Sequence, residues 1–273
     1  MNYIGIDVHK QSFVATIMDE KGNVLDKQKV STDRVPVARY LKSIQRFQPC
    51  SAVMEACYNW SYLYDLLKSE VHDICLAHPL KTRLIAETRI KTDSIDSESL
   101  AHLLRVDCIP KAYAPLPKTR QMKSLLRYRA SLVQARTRIK NRIHALLDQY
   151  HIENPKLRSL TDIFGVTGMR LLHETTLPEH DNYVLHAQLE LLEKYANDIK
   201  DADTLIRRLV KEDEICGYLK TIPGVGYILT LLLRYEIDDI NRFASAKRLC
   251  SYAGLVPATY SSGRRTYQGR ITK

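Results

Sequence analysis

No stretch of this sequence stays apolar for long enough to cross a bilayer. The longest apolar runs, such as Ile228 to Leu233, are a fraction of the roughly 20 residues that a helical span requires. No basic, apolar leader precedes the first strand candidate at Tyr3, so the expectation is a soluble, cytoplasmic protein with no membrane partner. The cysteines lack a pairing pattern. None of Cys50, Cys57, Cys75, Cys108, Cys216 and Cys250 stands in Cys-x-x-Cys, and although His72 and His78 flank Cys75, no second ligand pair completes a zinc site. In a chain of this length they read as reduced core thiols. Acid is scarce relative to base: 31 Asp and Glu against 41 Lys and Arg leave a net charge of +10. That balance points to a polyanionic partner, nucleic acid first. What is present is ordinary enough to fold, since a hydrophobic fraction of 45% over 273 residues supplies a core for one large domain or two smaller ones.

The chain opens on three strand candidates. Residues 3–8 and 12–18 are β-rich and apolar, Glu20-Lys21-Gly22-Asn23 is a turn signal, and 24–30 alternates. These predict an antiparallel meander. The period then changes. Val37, Tyr40, Leu41 and Ile44 share a helical face, 51–56 is a short strand, 62–67 a helix, 74–77 a strand, and a helix covers about 95–105. Three antiparallel strands followed by alternating helix and strand is an α/β order, that of an RNase H-like domain over 1–115. Pro115 and Pro117 mark its end.

From 116 to 212 two heptad series appear. Leu125, Leu132, Ile139 and Leu146 form one; Leu185, Leu192, Ile199 and Ile206 form the other, with Tyr195, Ala202 and Leu209 three places on. They predict two long helices packed as a coiled coil, joined by a polar segment at about 151–181. The first helix carries Lys118, Arg120, Lys123, Arg127, Arg129, Arg136, Arg138, Lys140 and Arg142 against the single acid Asp148. Such a stripe is either a nucleic-acid footprint or a solvated face. The last part, 213–273, reads as a small, mostly α domain. Its Ile222-Pro223-Gly224-Val225-Gly226 turn suits either a plain helix–helix connection or a hairpin whose backbone N–H groups hold a phosphate.

Four carboxylates carry the chemical argument. Asp7 lies inside an apolar strand, where a charge is costly unless paired or bound to metal. Glu55 follows Ala52-Val53-Met54. Asp93 and Asp96, three apart, either share a helix face or form an N-cap with its box partner. Singly each is more simply structural. In an RNase H-like order, however, the first and fourth strands are neighbours, so Asp7 and Glu55 converge and a following helix adds Asp93 and Asp96. Four such groups repel one another unless hard divalent cations neutralise them. A pair of Mg²⁺ ions held there suits phosphoryl displacement.

The segments Tyr3-Ile4-Gly5-Ile6-Asp7-Val8-His9-Lys10, Glu55-Ala56-Cys57 and Lys91-Thr92-Asp93-Ser94-Ile95-Asp96-Ser97 resemble the DEDD signature of the insertion sequence 110 family of transposases. Ile222 to Gly226, Ser251 to Pro257 and Tyr260-Ser261-Ser262-Gly263 resemble that family's C-terminal domain. The resemblance covers nearly the whole chain. It implies a RuvC-like catalytic domain with Asp7, Glu55, Asp93 and Asp96 as metal ligands, a coiled-coil insertion, and a nucleophilic serine, matched here by Ser262. It also implies Mg²⁺, DNA as substrate, a noncoding bridge RNA, and assembly as a dimer or tetramer. The nucleic-acid contacts expected are Arg127, Arg129, Arg136, Arg138, Lys140, Gly224, Gly226, Arg264 and Arg265. The family pattern runs on past Gly269-Arg270-Ile271-Thr272-Lys273, so the expectation is a shortened chain that recombines poorly, its tail lacking apolar periodicity. Two other readings stand beside this one: a metal-dependent nuclease or junction resolvase using water, and a non-catalytic nucleic-acid-binding protein.

Overall fold

The computed structural model describes residues 1–85, 92–150, 155–263 and 265–271. The chain divides into two compact units, Met1–Ala114 and Pro115–Lys273.

In the first unit, β1 (Asn2–Val8), β2 (Ser12–Met18) and β3 (Val24–Ser31) form the expected meander. Helix α1 (Arg34–Ile44) leads to β4 (Cys50–Glu55), α2 (Trp60–Leu67) to β5 (Asp73–Ala77). Helices α3 (Pro79–Ile85) and α4 (Asp93–Arg105) precede a short β6 (Lys111–Ala112). The sheet order is β3-β2-β1-β4-β5-β6, with β1, β4 and β5 mutually parallel and β2, β3 and β6 antiparallel to their neighbours. This mixed order, with β1 beside β4 at the centre, is RNase H-like. The outer strand β3 is short of apolar residues and carries Asp26, Lys27 and Lys29, charges that discourage pairing with another chain.

The sheet is covered on both faces, which is why β1 reads as an apolar run rather than an alternation. On one face Ile4, Ile6, Phe13, Ala15, Ala52, Met54 and Leu76 pack against Val37, Tyr40 and Ile44 of α1 and Leu63 and Leu67 of α2. The alternate residues face α4, where Val53, Cys75 and Ala77 meet Leu100. Helix α4 comes closest at Gly5. A Cβ there would stand 2.0 Å from the Ser97 carbonyl oxygen and 2.4 Å from the Ala101 nitrogen. Beside it the fully buried hydroxyls of Thr16 and Ser97 share a 2.8 Å hydrogen bond, and Lys27 Nζ donates to Ser94 Oγ and Glu98 Oε2. The helix is capped by Thr92, whose Oγ1 accepts from Ile95 N at 3.2 Å. The capping alternative for Asp93 and Asp96 is therefore corrected: both sit in the first turn, free of that duty.

In the second unit α5 (Pro117–Gln149) and α8 (Glu179–Glu212) lie antiparallel. At one end Ile139, Ile143 and Leu147 meet Leu185, Leu189 and Leu192; at the other Leu126 meets Ile206 and Val210. The seam drifts off the heptad, with Leu126 and Leu147 buried while Leu125 and Leu146 are half-buried. The segment between the helices is less polar in effect than expected. It holds α6 (Pro155–Arg158) and α7 (Val166–Glu174), and Leu157, Leu171, Leu172 and Leu177 complete the cluster. Helix α9 (Glu214–Leu219) and α10 (Tyr227–Ile237) cover the other end through Cys216, Leu231 and Tyr235. After α11 (Ala246–Tyr252) the chain forms an antiparallel hairpin, β7 (Pro257–Ser262) and β8 (Arg265–Ile271), turning at Gly263 with φ +59. This corrects the expected tail, while helices still make up more of this part than strands do. Thr259, Tyr260, Thr266, Tyr267 and Ile271 are good strand formers, and the positive φ is one a glycine adopts without strain. Among the described residues no helix is long and apolar enough to cross a membrane.

Replacing Gly5 with alanine should push two backbones apart. We expect a loss of about 1–3 kcal/mol, typical of an overpacked core, read as a lower urea midpoint at unchanged slope. A midpoint equal to the wild type would mean that α4 is not held at this spacing.

Candidate active site

Strand alternation sets the first two carboxylates. Gly5 and Asp7 share the α4 face of β1, and Val53 and Glu55 the same face of β4. The strands run parallel with Ile6 opposite Met54, so Asp7 and Glu55 follow side by side. The seating of α4 brings up the other two. Asp7 is 7% exposed. Burial raises its pKa above the ordinary aspartate value, the nearby His9 lowers it, and the charges of Asp93 and Asp96 raise it again. Glu55 and Asp96 line one cleft of 310 Å³ with Thr82, Arg83 and Ser99. All four candidate carboxylates thus belong to one patch at the carboxyl ends of the central strands.

His9, not singled out from sequence, lies in the middle of this patch. Its Nε2 is 3.0 Å from Asp7 Oδ2 and 3.2 Å from Asp93 Oδ1. Lys29 Nζ approaches the other oxygen of Asp93 at 3.8 Å. His9 follows Asp7 by two residues but stands just past the end of β1, where strand alternation no longer fixes which way a side chain points. Arg83 was missed as well, because α3 is too short to show a period. Cys57, half-buried next to the site, has its thiol pKa raised by burial and by the charges of Glu55 and Asp7.

The donor set suits a hard divalent cation. Carboxylate oxygens dominate it, and mutual repulsion between Asp7, Asp93 and Asp96 is the cost that such an ion removes.

The remaining candidates belong to the second unit. Ser262 ends β7, exposed, directly before Gly263 and opposite Arg265. Ser261 points to the other face, its Oγ 3.4 Å from Thr266 Oγ1. On α5, Arg127 and Arg138 are exposed and Arg136 half-buried. Arg129 is engaged across the helix pair, Nε and Nη2 donating to Asp203 at 2.9 and 3.4 Å. Lys140 lies 4.7 Å over the Phe164 ring. Gly224 takes φ +84, and no atom lies within 4 Å of a Cβ built on Gly224 or Gly226, so the turn between α9 and α10 is open to an incoming group. Arg264 lies outside the described residues.

A family model of DEDD transposases of the IS110 type matches residues 4–152, and one described as "Transposase IS116/IS110/IS902 family" matches 216–273. The chain belongs to the IS110 family of transposases. Its members include the transposase for insertion sequence element IS1328 of Yersinia enterocolitica, 26% identical over 99% of this chain and 78% of its own length. The transposase for IS1111A of Coxiella burnetii is also 26% identical, over 99% of this chain and 72% of its own. A solved structure of T. thermophilus RuvC with a Holliday junction covers 41% of this chain and 99% of its own at 13% identity and a TM-score of 0.30. At that score the RNase H-like assignment stands on strand order, not on the superposition.

If Asp7 holds a cation, divalent metal should raise the melting temperature of this transposase by mass action. Asp7→Asn should lose most of that rise. Its metal-free Tm should equal or exceed the wild type, because an amide in that buried place has no charge to desolvate. Equal metal-induced shifts in both proteins would remove Asp7 from the ligand set.

Proposed function

We propose that this chain cleaves and rejoins DNA strands at the ends of an insertion sequence, with Ser262 as nucleophile and the Asp7, Glu55, Asp93 and Asp96 patch as its metal centre. The observation that carries the reading is the convergence of those four carboxylates from β1, β4 and α4. Asp7 in that patch is buried and also feels the charges of Asp93 and Asp96, a cost that a bound counter-ion would offset. Mg²⁺ bound there would supply positive charge to the scissile phosphate and to the departing oxygen.

The remaining steps fall to the chain's own residues. The Ser262 Oγ attacks phosphorus, a Ser–O–P bond forms, and the bond from phosphorus to the 3′ oxygen breaks. The hydroxyl proton leaves the serine and the 3′ oxygen takes one up, so a 3′-OH end and a phosphoserine link remain. Attack by another 3′-OH reverses these changes and rejoins the strand, conserving bond energy without ATP. Ser262 has support over Ser261 from the tyrosine-to-glycine spacing of the family resemblance, and Ser261 Oγ lies 3.4 Å from Thr266 Oγ1 across the ribbon. Arg265, opposite Ser262, suits a phosphate oxygen.

Binding is proposed along α5 and at the Gly224–Gly226 turn, with the α5–α8 pair acting as a coiled coil. The net charge of +10 supports DNA and a guide RNA as partners, and a serine in one unit with carboxylates in the other is compatible with work by two or more copies. The cytoplasm, where the chromosome is reached directly, is the proposed location.

On a denaturing gel, wild type with divalent metal and an end-containing duplex should give a covalent protein–DNA adduct. Ser262→Ala should give none and Ser261→Ala should retain some. Cleavage without any adduct would favour water as nucleophile, and adducts lost only in Ser261→Ala would move the nucleophile by one residue.

The basic face gives a separate expectation. Replacing Arg127 and Arg138 with glutamine should flatten the log–log salt dependence of binding by about 2, since each phosphate left without its cation lowers the slope by roughly 0.9. Arg129→Gln should instead lower stability and leave the slope alone, because its fork holds Asp203. A slope unmoved by the double variant would make this face merely solvated.

A further inference from the structure

We infer that His9 is a third ligand of the Asp7–Asp93 position and biases it toward Mn²⁺ or Co²⁺ over Mg²⁺. The inference rests on the metal-centre reading above and adds to it a nitrogen donor and a selectivity.

The spacing is the first argument. His9 Nε2, Asp7 Oδ2 and Asp93 Oδ1 all lie within 4.8 Å of one another, with the imidazole nitrogen 3.0 and 3.2 Å from the two oxygens. Neighbouring ligand atoms of an octahedral ion with bonds of about 2.1 Å are about 3.0 Å apart. Two of the three edges of the group therefore match such an octahedron, and the third, between the two carboxylate oxygens, is no longer than 4.8 Å. The same spacing is that of a hydrogen bond, so geometry alone does not separate ligand from hydrogen-bond partner. The two differ in what the ring nitrogen does to metal affinity.

The backbone at His9 is held on both sides. His9 N donates to Ser12 O at 2.8 Å, and Asn59 Nδ2 donates to His9 O at 3.0 Å. Asn59 is itself fixed by the Cys57 thiol, which donates to its Oδ1 at 3.0 Å. Lys29 draws on Asp93 Oδ2, leaving Oδ1 toward His9. These contacts hold the main chain at His9 and so limit where its half-exposed side chain can reach. Preorganisation of this kind is what a coordinating side chain requires.

The selectivity follows from the donor type. Mg²⁺ takes oxygen and keeps its waters, whereas imidazole raises affinity in the order Mn²⁺, Co²⁺, with Co²⁺ the stronger.

The test is metal binding by the full chain at constant pH, without DNA. Mg²⁺, Mn²⁺ and Co²⁺ are titrated by calorimetry into wild type, His9→Ala and His9→Gln, and the cobalt complex is examined by proton NMR. In His9→Ala, Co²⁺ affinity should fall by about tenfold or more, as for other losses around a metal-binding histidine. Mg²⁺ affinity should change by less than about twofold. A strongly shifted imidazole N–H resonance should be present in wild type and absent from the variants. The glutamine keeps a hydrogen-bond donor but no ring nitrogen, so it should resemble alanine. Equal losses for all three ions, wild-type Co²⁺ affinity in His9→Gln, or no shifted resonance in wild type would each overturn the inference. Unaltered binding by Asp7→Asn would overturn the metal-centre reading itself, a separate failure.

Discussion

At Gly5 a strand backbone and a helix backbone touch with no side chain between them. Everything that gathers on that face of the sheet depends on the contact. Asp93 and Asp96 are fixed to the first turn of α4 by the Thr92 cap, and α4 is fixed to the sheet by Gly5 and the Thr16–Ser97 hydrogen bond. Asp7 is two residues along the same strand from Gly5. The residue that admits the helix and the residue that meets its acidic end are thus set by one short piece of β1. A methyl group at the first would be felt at the second.

The close seating also concentrates negative charge. Asp7 loses water to burial and gains two acidic neighbours, and both effects oppose its ionisation. The chain offsets part of this locally, with His9 between Asp7 and Asp93 and Lys29 on the far oxygen of Asp93. Basic residues elsewhere are divided between two tasks. Arg129 ties α5 to α8, and Lys123 meets Glu236 of α10 at 2.8 Å. Arg127 and Arg138, on the same helix, stay exposed. A run of positive charge in sequence therefore separates into staples and open surface only once the partner helix is in place.

That division explains how much could be read in advance. The meander, the β1–β4 neighbourhood and the two long helices follow from periodicity, which local sequence carries. The carboxylates were unremarkable singly, and only a strand order gave them a common face. His9 and Arg83 carried no pattern at all: one is a polar residue past a strand end, the other part of a seven-residue helix. On α5 the seam shifted from Leu125 and Leu146 to Leu126 and Leu147, because a straight helix repeats every 3.6 residues and drifts from a heptad, while α8 buries its whole series of Leu185, Leu192, Ile199 and Ile206. The final hairpin was hidden for a different reason. Both of its faces are largely exposed, so its alternation has no apolar side to reveal it.

The helices α5 and α8, 33 and 34 residues long, each extend about 50 Å at 1.5 Å per residue. Each end is closed by its own cluster of side chains, and Arg129 pins the pair between them. Such a double rod resists bending and changes of length. The pair is, in effect, a strut within the second unit: the side-chain cluster at one end keeps a fixed distance from the cluster at the other.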